Sequence, residues 1–180
     1  MPDDVGQLCD RLERSRTRAL GLVEATDQRQ RSVRPAEGKW SMLQVIEHLV
    51  LAEEGTLRVF EKGPPAEPKV KVRSLLALRA IEGLFGLRLR LAVPSKSLTP
   101  TVPESLEALR LRWTSVSDGI TKYVGALESD DLSQPRFRHP VAGWVTVGQG
   151  LDFLERHIRH HERQLHRIRR SLAAARRPGA

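Results

Sequence analysis

Apolar residues recur at every third or fourth position over a long segment near the carboxyl end of the chain, between Thr146 and Ala175. A spacing of about 3.6 residues places such side chains on one face of an α-helix, which must pack against other elements. The chain is therefore predicted to build its core from helices. The repeating positions are Leu151, Leu154, Ile158, His161, Leu165, Ile168 and Leu172.

The same periodicity predicts three further long helices, at about residues 5–31, 41–62 and 104–127. Ser41 with Gln44 three residues later is the pattern of a capping box, which marks the start of the second helix. Because the second and third helices are joined by about forty residues, we predict an all-α four-helix bundle with a long crossover between them.

The length of 180 residues suits one domain. We predict that residues 1–175 form this domain, that residues 128–143 are a polar loop before the last helix, and that residues 176–180 are a disordered basic tail. Cys9 is the single cysteine, so a disulfide scaffold is excluded. We expect Cys9 to serve as a small apolar residue.

No stretch reaches the roughly 18 uncharged apolar residues of a membrane span, since arginines interrupt the best candidate, residues 75–92. The first residues lack the basic start and apolar core of a signal peptide. The protein is therefore expected to be cytoplasmic, with no stable membrane anchor.

The formal net charge is +8, from 30 basic and 22 acidic residues, which favours polyanionic partners without identifying one. Most arginines alternate with acidic residues, as on a solvated helical surface. The basic segment of residues 69–92 has two interpretations: a crossover packed on the end of the bundle, where it also joins a dimer contact, or a surface for nucleic acid or anionic membrane. The sequence does not decide its role, and nucleic acid is the less favoured partner.

Three of the six histidines lie within five residues of the last helix. His157 and His161 are four positions apart, so they share one face and can converge on one metal ion. No Glu follows His157, so the general base of the HExxH metalloproteases is missing. His48, on the edge of the apolar face of the second helix, is the candidate third ligand. Three such ligands leave coordination positions open for water or substrate.

Each of these residues also has a plainer interpretation. His48 is then a half-buried histidine at a helix contact, and His157 with His161 form a solvated face. His160 points away from the pair by about 100° and is assigned to the surface or to a supporting role. Gln164 either bonds to a ligand or is an ordinary helix residue. His139 and His166 are not expected at the site.

Three glutamates near His48 are candidate acid–base groups, but surface carboxylates paired with arginines are the favoured interpretation. They are Glu47, Glu53 and Glu54. The tryptophans are assigned to the core or to helix ends, and the alternative for Trp144 is the wall of a pocket near the last helix. They are Trp40, Trp113 and Trp144.

Two motifs resemble signatures of the DinB/YfiT-like superfamily. Lys39-Trp40-Ser41, followed by His48-Leu49 and Glu53-Glu54, is similar to its second-helix signature. His157-x-x-His160-His161-x-x-Gln164 is similar to that of its last helix. The long connection before the third helix and the start of the last helix at Val145-Thr146 also resemble this family, so the likeness covers roughly residues 5–172.

The resemblance implies an up-down-down-up bundle whose metal ligands are His48, His157 and His161, with nickel or zinc, or in some cases iron or manganese. Characterised relatives include S-transferases that use bacillithiol or mycothiol and a thiol-dependent maleylpyruvate isomerase. The expected function is metal-dependent transfer between a low-molecular-weight thiol and an electrophile, with a metal-ligated thiolate or hydroxide as nucleophile, in a homodimer. The alternatives are a non-catalytic stress-response or binding protein with a structural or vestigial metal site, and a basic surface module.

Overall fold

The computed structural model describes residues 3–63, 76, 77, 80, 83, 96–101, 104–139 and 142–175, and these are mostly helical. Their five helices and two short strands are α1 (Asp3–Glu24), α2 (Met42–Lys62), α3 (Leu106–Gly125), α4 (Ser129–Ser133), β1 (Phe137–His139), β2 (Gly143–Val145) and α5 (Val147–Ala175). The predicted disordered tail and most of the predicted crossover lie outside the described residues. In the described part of that connection, Lys96–Leu98 form one turn of 3-10 helix.

Serine side chains fix the starts of two long helices. The Oγ of Ser41 accepts from the backbone N–H of Gln44, and the Gln44 side chain accepts from the N–H of Ser41, which confirms the predicted capping box. Ser105 accepts from the N–H of Ala108 in the same way. Such caps satisfy backbone donors that have no partner inside the helix and contribute about 1 kcal/mol each.

The apolar faces of the long helices meet in one core. Helix α1 packs mainly on α5, and α2 packs on both α3 and α5. The predicted apolar positions of α3 and α5 are buried there, as are most of those of α2, whereas Ala52 and Leu57 are only partly buried. Trp113 is 1% exposed, in agreement with its assignment to the core. The largest side chains that are fully buried include Trp113, Phe60, Leu12, Met42, Ile46, Leu49, Leu109, Ile120, Leu151, Leu154, Ile158 and Leu165.

The prediction of a first helix reaching Arg31 was wrong. Helix α1 ends at Glu24, and a separate 3-10 turn covers Gln28–Gln30. The side chain of Asp27 accepts from the N–H of Arg29 and so caps this turn. Short polar side chains offer the backbone alternatives to helical hydrogen bonds, and here Asp27 stabilises a separate turn rather than a continued helix.

The prediction of a polar loop over residues 128–143 was also wrong. This segment holds α4 and β1, and β1 pairs with β2 in an antiparallel hairpin with Phe137 opposite Val145. Both of these side chains are buried, at 3% and 0% exposure. Gly143 has φ 82°, a conformation that glycine adopts without strain. Phe137 rests on Gly150 of α5, where a Cβ atom would lie 2.7 Å from its Cγ.

A buried ion pair connects the first three long helices. Arg16 on α1 donates its Nε–H to Oε2 of Glu53 on α2 at 2.9 Å, and its Nη1 contacts Ser117 on α3. Arg16 is 4% exposed and Glu53 is 1% exposed. The prediction that Glu53 is a surface carboxylate is therefore corrected, because its arginine partner lies inside the helix packing rather than in solvent.

No helix in the described part of the chain is both long and apolar enough to cross a membrane.

Candidate metal centre

Helix α2 supplies the first imidazole of the candidate site. Since Ser41 caps this helix, His48 falls in its second turn, on the side that packs against α5. Its side chain is buried, with 4% exposure. The apolar neighbours Val45 and Leu49 pack in the core and hold this part of α2 in place.

Helix α5 supplies the other two imidazoles. Its length and its buried stripe of leucine and isoleucine hold the helix against α1 and α2, so His157 and His161 face inward one turn apart. His161 is 8% exposed, and His157 is partly buried. The structure therefore brings together the three histidines that the sequence singled out, although 109 residues separate His48 from His157.

The three side chains converge through their Nε2 atoms. The Nε2 of His157 lies 3.2 Å from that of His48 and 3.1 Å from that of His161. One ligand atom from each residue falls within 4.8 Å of the others, an arrangement that could hold a metal ion. In a tetrahedral zinc site, nitrogen ligands at about 2.0–2.1 Å from the ion lie about 3.3 Å from one another. The observed separations are close to this value.

Hydrogen bonds at the opposite ring atoms set the tautomers of two histidines. The Nδ1–H of His48 donates to the carbonyl oxygen of Leu98 at 2.7 Å. The Nδ1–H of His161 donates to Oε1 of Gln164 at 2.8 Å. Because both partners are oxygen acceptors, the Nε2 atom of each neutral ring carries a lone pair. This is the usual way in which proteins orient metal-ligating histidines.

These lone pairs provide the test of whether the residues suit a metal. In their neutral forms, His48 and His161 both present a lone pair to the Nε2 of His157, which can carry at most one proton. One of the two close N···N contacts is then left without a hydrogen between its atoms. A divalent cation at the centre would satisfy all three nitrogens at once, so the donor set fits a metal ion.

Burial keeps the three rings in the form that binds metals. Desolvation lowers the pKa of His157 and of His161 well below the usual value of 6.5, and nearby imidazoles lower both further. Burial also lowers the pKa of His48, in spite of its bond to Leu98. A histidine ligand must be neutral, so the site is ready for a metal at neutral pH without first losing protons.

Aromatic side chains lie against two of the histidines. The Trp40 ring is 4.9 Å from the His48 ring, and Phe153 is stacked 5.8 Å from His157 with an interplanar angle of 10°. Phe153 also packs edge-on against His139, at 4.3 Å. Trp40 and Phe153 are both partly exposed, so they form the rim of the candidate site.

The remaining candidate residues have separate environments. The ring of His160 lies 5.1 Å from that of His161, while His166 is exposed. His139 is 4% exposed and accepts the backbone N–H of Ala142 at its Nδ1 atom, 2.9 Å away. The Cys9 thiol is partly buried, and burial raises its pKa, so it is not a ready nucleophile.

The other two glutamates next to His48 in sequence also differ from one another. Glu54 accepts from Arg112 at 2.8 Å, as the arginine-pairing prediction expects. Glu47 is instead buried at 5% exposure, and its Oε1 accepts from the N–H and the hydroxyl of Thr101 at 3.3 and 3.4 Å. The prediction of a surface position was therefore wrong for Glu47.

Two residues of the site, Phe153 and Leu98, were not predicted from the sequence, and only the position of Phe153 could have been. Phe153 precedes His157 by four positions, so helical spacing alone places them on one face. The acceptor role of Leu98 has no such signal, because it depends on the path of the chain between α2 and α3. Gln164, left open by the sequence, bonds to His161.

The chain matches the family model of the DinB superfamily over residues 11–165. This match spans most of the chain, and the protein therefore belongs to the DinB superfamily. Searches among curated proteins and among solved structures gave no match.

Proposed function

We propose that this protein binds one divalent metal ion through His48, His157 and His161 and uses it in transferase chemistry with a low-molecular-weight thiol. The observation that carries the proposal is the meeting of three Nε2 atoms, with contacts of 3.1 and 3.2 Å at His157. Membership of the DinB superfamily supports the role of a metal. The choice of a thiol as co-substrate rests on the resemblance to thiol-using relatives.

We further propose that α1, α2, α3 and α5 form an up-down-down-up four-helix bundle, with residues 63–102 as the crossover. The packing of α1 on α5, and of α2 on α3 and α5, supports this arrangement. Bundles of this kind build metal sites in their interior from side chains on facing helices. The position of His48 opposite His157 fits such a site.

A divalent ion held by this site would lower the pKa of a bound thiol or water and so provide a nucleophile near neutral pH. The chain supplies three neutral donors, which leaves room for ligands that exchange. The carbonyl of Leu98 and the amide of Gln164 keep two of the rings in the donor tautomer. Trp40 and Phe153 shield ring faces from water.

Nickel or zinc is the metal that we propose, with iron or manganese as alternatives. Imidazole ligands suit zinc, nickel and iron, whereas manganese prefers oxygen ligands. The reaction partners would be a small thiol and an electrophile, and the protein would act as a homodimer. We propose a cytoplasmic location, since a thiol co-substrate stays reduced there.

The test is a transferase assay on protein depleted of metal and then loaded with nickel, zinc, iron or manganese. The thiols are cysteine, glutathione, bacillithiol and mycothiol, and the electrophile is a chromogenic aryl chloride. A C–S bond forms, the C–Cl bond breaks, and chloride and a proton leave. We expect turnover with at least one thiol in metal-loaded protein, and background rates after metal removal.

The matched control is His166→Ala, which removes an exposed histidine from the same helix as His157. His157→Ala should reduce turnover to background, whereas His166→Ala should retain it. Metal binding without thiol consumption under any of these conditions would overturn the transferase proposal and favour a structural or vestigial site.

A further inference from the structure

A short segment of the connection between α2 and α3 is bonded to two successive residues of α2. We call residues 96–101 the strap, and its first half is the 3-10 turn Lys96–Leu98. The carbonyl oxygen of Leu98 accepts the Nδ1–H of His48. Thr101 donates its backbone N–H and its hydroxyl to Oε1 of Glu47. The strap is therefore held on α2 at two points, one of which is a histidine of the candidate metal centre.

The backbone between these two points has little freedom. Pro100 lies between Leu98 and Thr101, it is buried, and its ring fixes φ at about −65°. Proline also restricts the backbone of the residue before it, Thr99. A displacement of Thr101 is therefore passed on to Leu98 and is not absorbed by the chain between them.

The surroundings of Glu47 are unfavourable for a carboxylate that only stabilises the fold. The residue is 5% exposed, and its Oε2 atom has no hydrogen-bond partner in the part of the chain that the structure describes. A buried polar oxygen without a partner costs free energy, so an apolar side chain of similar size would cost less in this place. The carboxylate provides one thing that an apolar side chain does not, which is the contact with Thr101.

The hydrogen bond between the strap and His48 determines which ring nitrogen carries the proton. With Leu98 as acceptor, the proton stays on Nδ1, and Nε2 keeps its lone pair. Without this acceptor, the proton can occupy Nε2 and be donated to Nε2 of His157, which is 3.2 Å away. The lone pair of His157 would then be engaged and that of His48 lost, so neither would be available to a metal ion.

We propose that Glu47 is a positioning residue for the metal centre: by holding Thr101, it keeps the carbonyl of Leu98 on the Nδ1–H of His48. Glu47 is not one of the three residues whose ligand atoms come together, so it acts through the strap and not on the ion. This inference rests on the proposed metal site. The hydrogen bonds of the strap, in contrast, are a property of the metal-free protein and can be measured without an ion.

The first measurement is NMR of metal-free, 15N-labelled, full-length protein. Imidazole N–H protons that are buried and hydrogen-bonded exchange slowly with solvent and can be detected. We expect the Nδ1–H of His48 to be detected in the wild type and in Glu47→Gln, whose amide oxygen still accepts from Thr101. In Glu47→Leu this signal should broaden or disappear, while the Nδ1–H of His161, which is bonded to Gln164, should persist.

The second measurement is the affinity for zinc, obtained by competition with a chromogenic chelator. Glu47→Leu should bind zinc about tenfold more weakly than the wild type, as when a group that supports a metal ligand is removed. Glu47→Gln should stay within about twofold of the wild type, because it keeps the acceptor. The double variant Glu47→Leu/Thr101→Val should bind no more weakly than Glu47→Leu, because the two residues act through one contact.

The matched control is Glu54→Leu, which removes the same charge from the same helix. Glu54 lies about two turns further along α2 and pairs with Arg112 and not with the strap. This variant should bind zinc within about twofold of the wild type and keep the His48 signal. Urea unfolding of the metal-free proteins separates positioning from a general effect on folding, since the free energy of unfolding of Glu47→Leu should be no lower than that of Glu54→Leu.

Three results would overturn the inference. They are a His48 N–H that is equally protected in Glu47→Leu and the wild type, equal losses of zinc affinity in Glu47→Leu and Glu54→Leu, and a much lower stability of Glu47→Leu. A failure of the proposed function looks different. If the His48 signal were lost in Glu47→Leu but the wild type bound no metal, Glu47 would retain its role in fixing the ring, and the proposed metal function would be wrong.

Discussion

The Nε2 atoms of His48 and His157 lie 3.2 Å apart, although the two residues are on different helices and 109 positions apart in sequence. Neither residue alone is evidence for a metal site. Their contact, joined by His161 from the next turn of α5, creates a cluster of three nitrogen donors in a buried place. Several measurable consequences follow from the bonds that hold this cluster and the surrounding helices.

Gln164 is expected to support metal affinity through its bond to His161. Gln164→Leu removes the acceptor of the Nδ1–H, so the ring loses its fixed orientation and tautomer. Loss of such a partner weakens metal binding about 10- to 100-fold. Competition titration with a chromogenic chelator measures the change. Gln164→Glu, which retains an acceptor, should stay much closer to the wild type, and equal losses in both variants would contradict this role.

The buried pair of Arg16 and Glu53 is expected to be important for stability. Arg16→Leu leaves the Glu53 carboxylate without its guanidinium partner inside the protein, which should lower the free energy of unfolding by about 3–5 kcal/mol. Urea denaturation followed by circular dichroism measures this change.

Two comparisons make the ion-pair prediction specific. The double variant Arg16→Met/Glu53→Leu removes both charges, so its free energy of unfolding should fall much less than that of Arg16→Leu alone. Arg58 is exposed and lies 4.0 Å from Glu54, so Arg58→Met should cost less than about 1 kcal/mol. Equal free energies of unfolding in Arg16→Leu and Arg58→Met would contradict the prediction that the buried ion pair stabilises the fold more than an exposed one.

His139 is expected to make the fold sensitive to acid. Burial lowers its pKa to about 4, and its Nδ1 accepts the Ala142 N–H, a bond that protonation would break. At pH 7 the ring is neutral in both the folded and unfolded states. As the pH falls below about 6.5, His139 becomes protonated in the unfolded chain but stays neutral in the folded protein. The free energy of unfolding therefore decreases until about pH 4.

The size of this effect follows from the shift of the pKa. Between pH 7 and pH 4.5, His139 alone should account for about 2–3 kcal/mol of lost stability. His139→Gln keeps an acceptor for the backbone N–H but cannot be protonated. Between pH 7 and pH 4.5, the free energy of unfolding of this variant, measured in urea, should therefore fall by about 2–3 kcal/mol less than that of the wild type. Identical declines in the variant and the wild type would assign the acid sensitivity to other groups.

Gly150 is expected to be required where the hairpin meets α5. A Cβ atom there would lie 2.7 Å from Cγ of Phe137, and the ring is held in the core. Gly150→Ala should therefore destabilise the protein by about 1–3 kcal/mol, as overpacking does. In contrast, Gly21 of α1 has open space around it, so Gly21→Ala should be neutral or stabilising by up to about 1 kcal/mol. Thermal denaturation of both variants tests this difference.

The sequence predicted those features that local periodicity and capping determine. The buried faces of α2, α3 and α5 follow from apolar residues at helical spacing, and the Ser41–Gln44 capping box follows from side-chain chemistry. The shared face of His157 and His161 has the same origin. These are short-range properties, so each can be obtained from a few neighbouring residues.

Features that depend on distant contacts were not predictable in the same way. The hairpin of β1 and β2 looked like a polar loop, since its strands are three residues long and Phe137 gains its burial from α5. Glu53 looked like a surface group, since its partner Arg16 comes from another helix. The hydrogen bond from His48 to the carbonyl of Leu98 likewise depends on the path of the chain between α2 and α3.

The most direct test of the central claim is the metal content of the untagged protein, measured by plasma mass spectrometry after purification and dialysis against nickel or zinc. The account predicts about one divalent ion per chain in the wild type and in His166→Ala. It predicts nearly none in folded His161→Ala, and strongly reduced content in His48→Ala. Metal stoichiometry that is unchanged in His161→Ala would contradict the assignment of the three histidines as one metal centre.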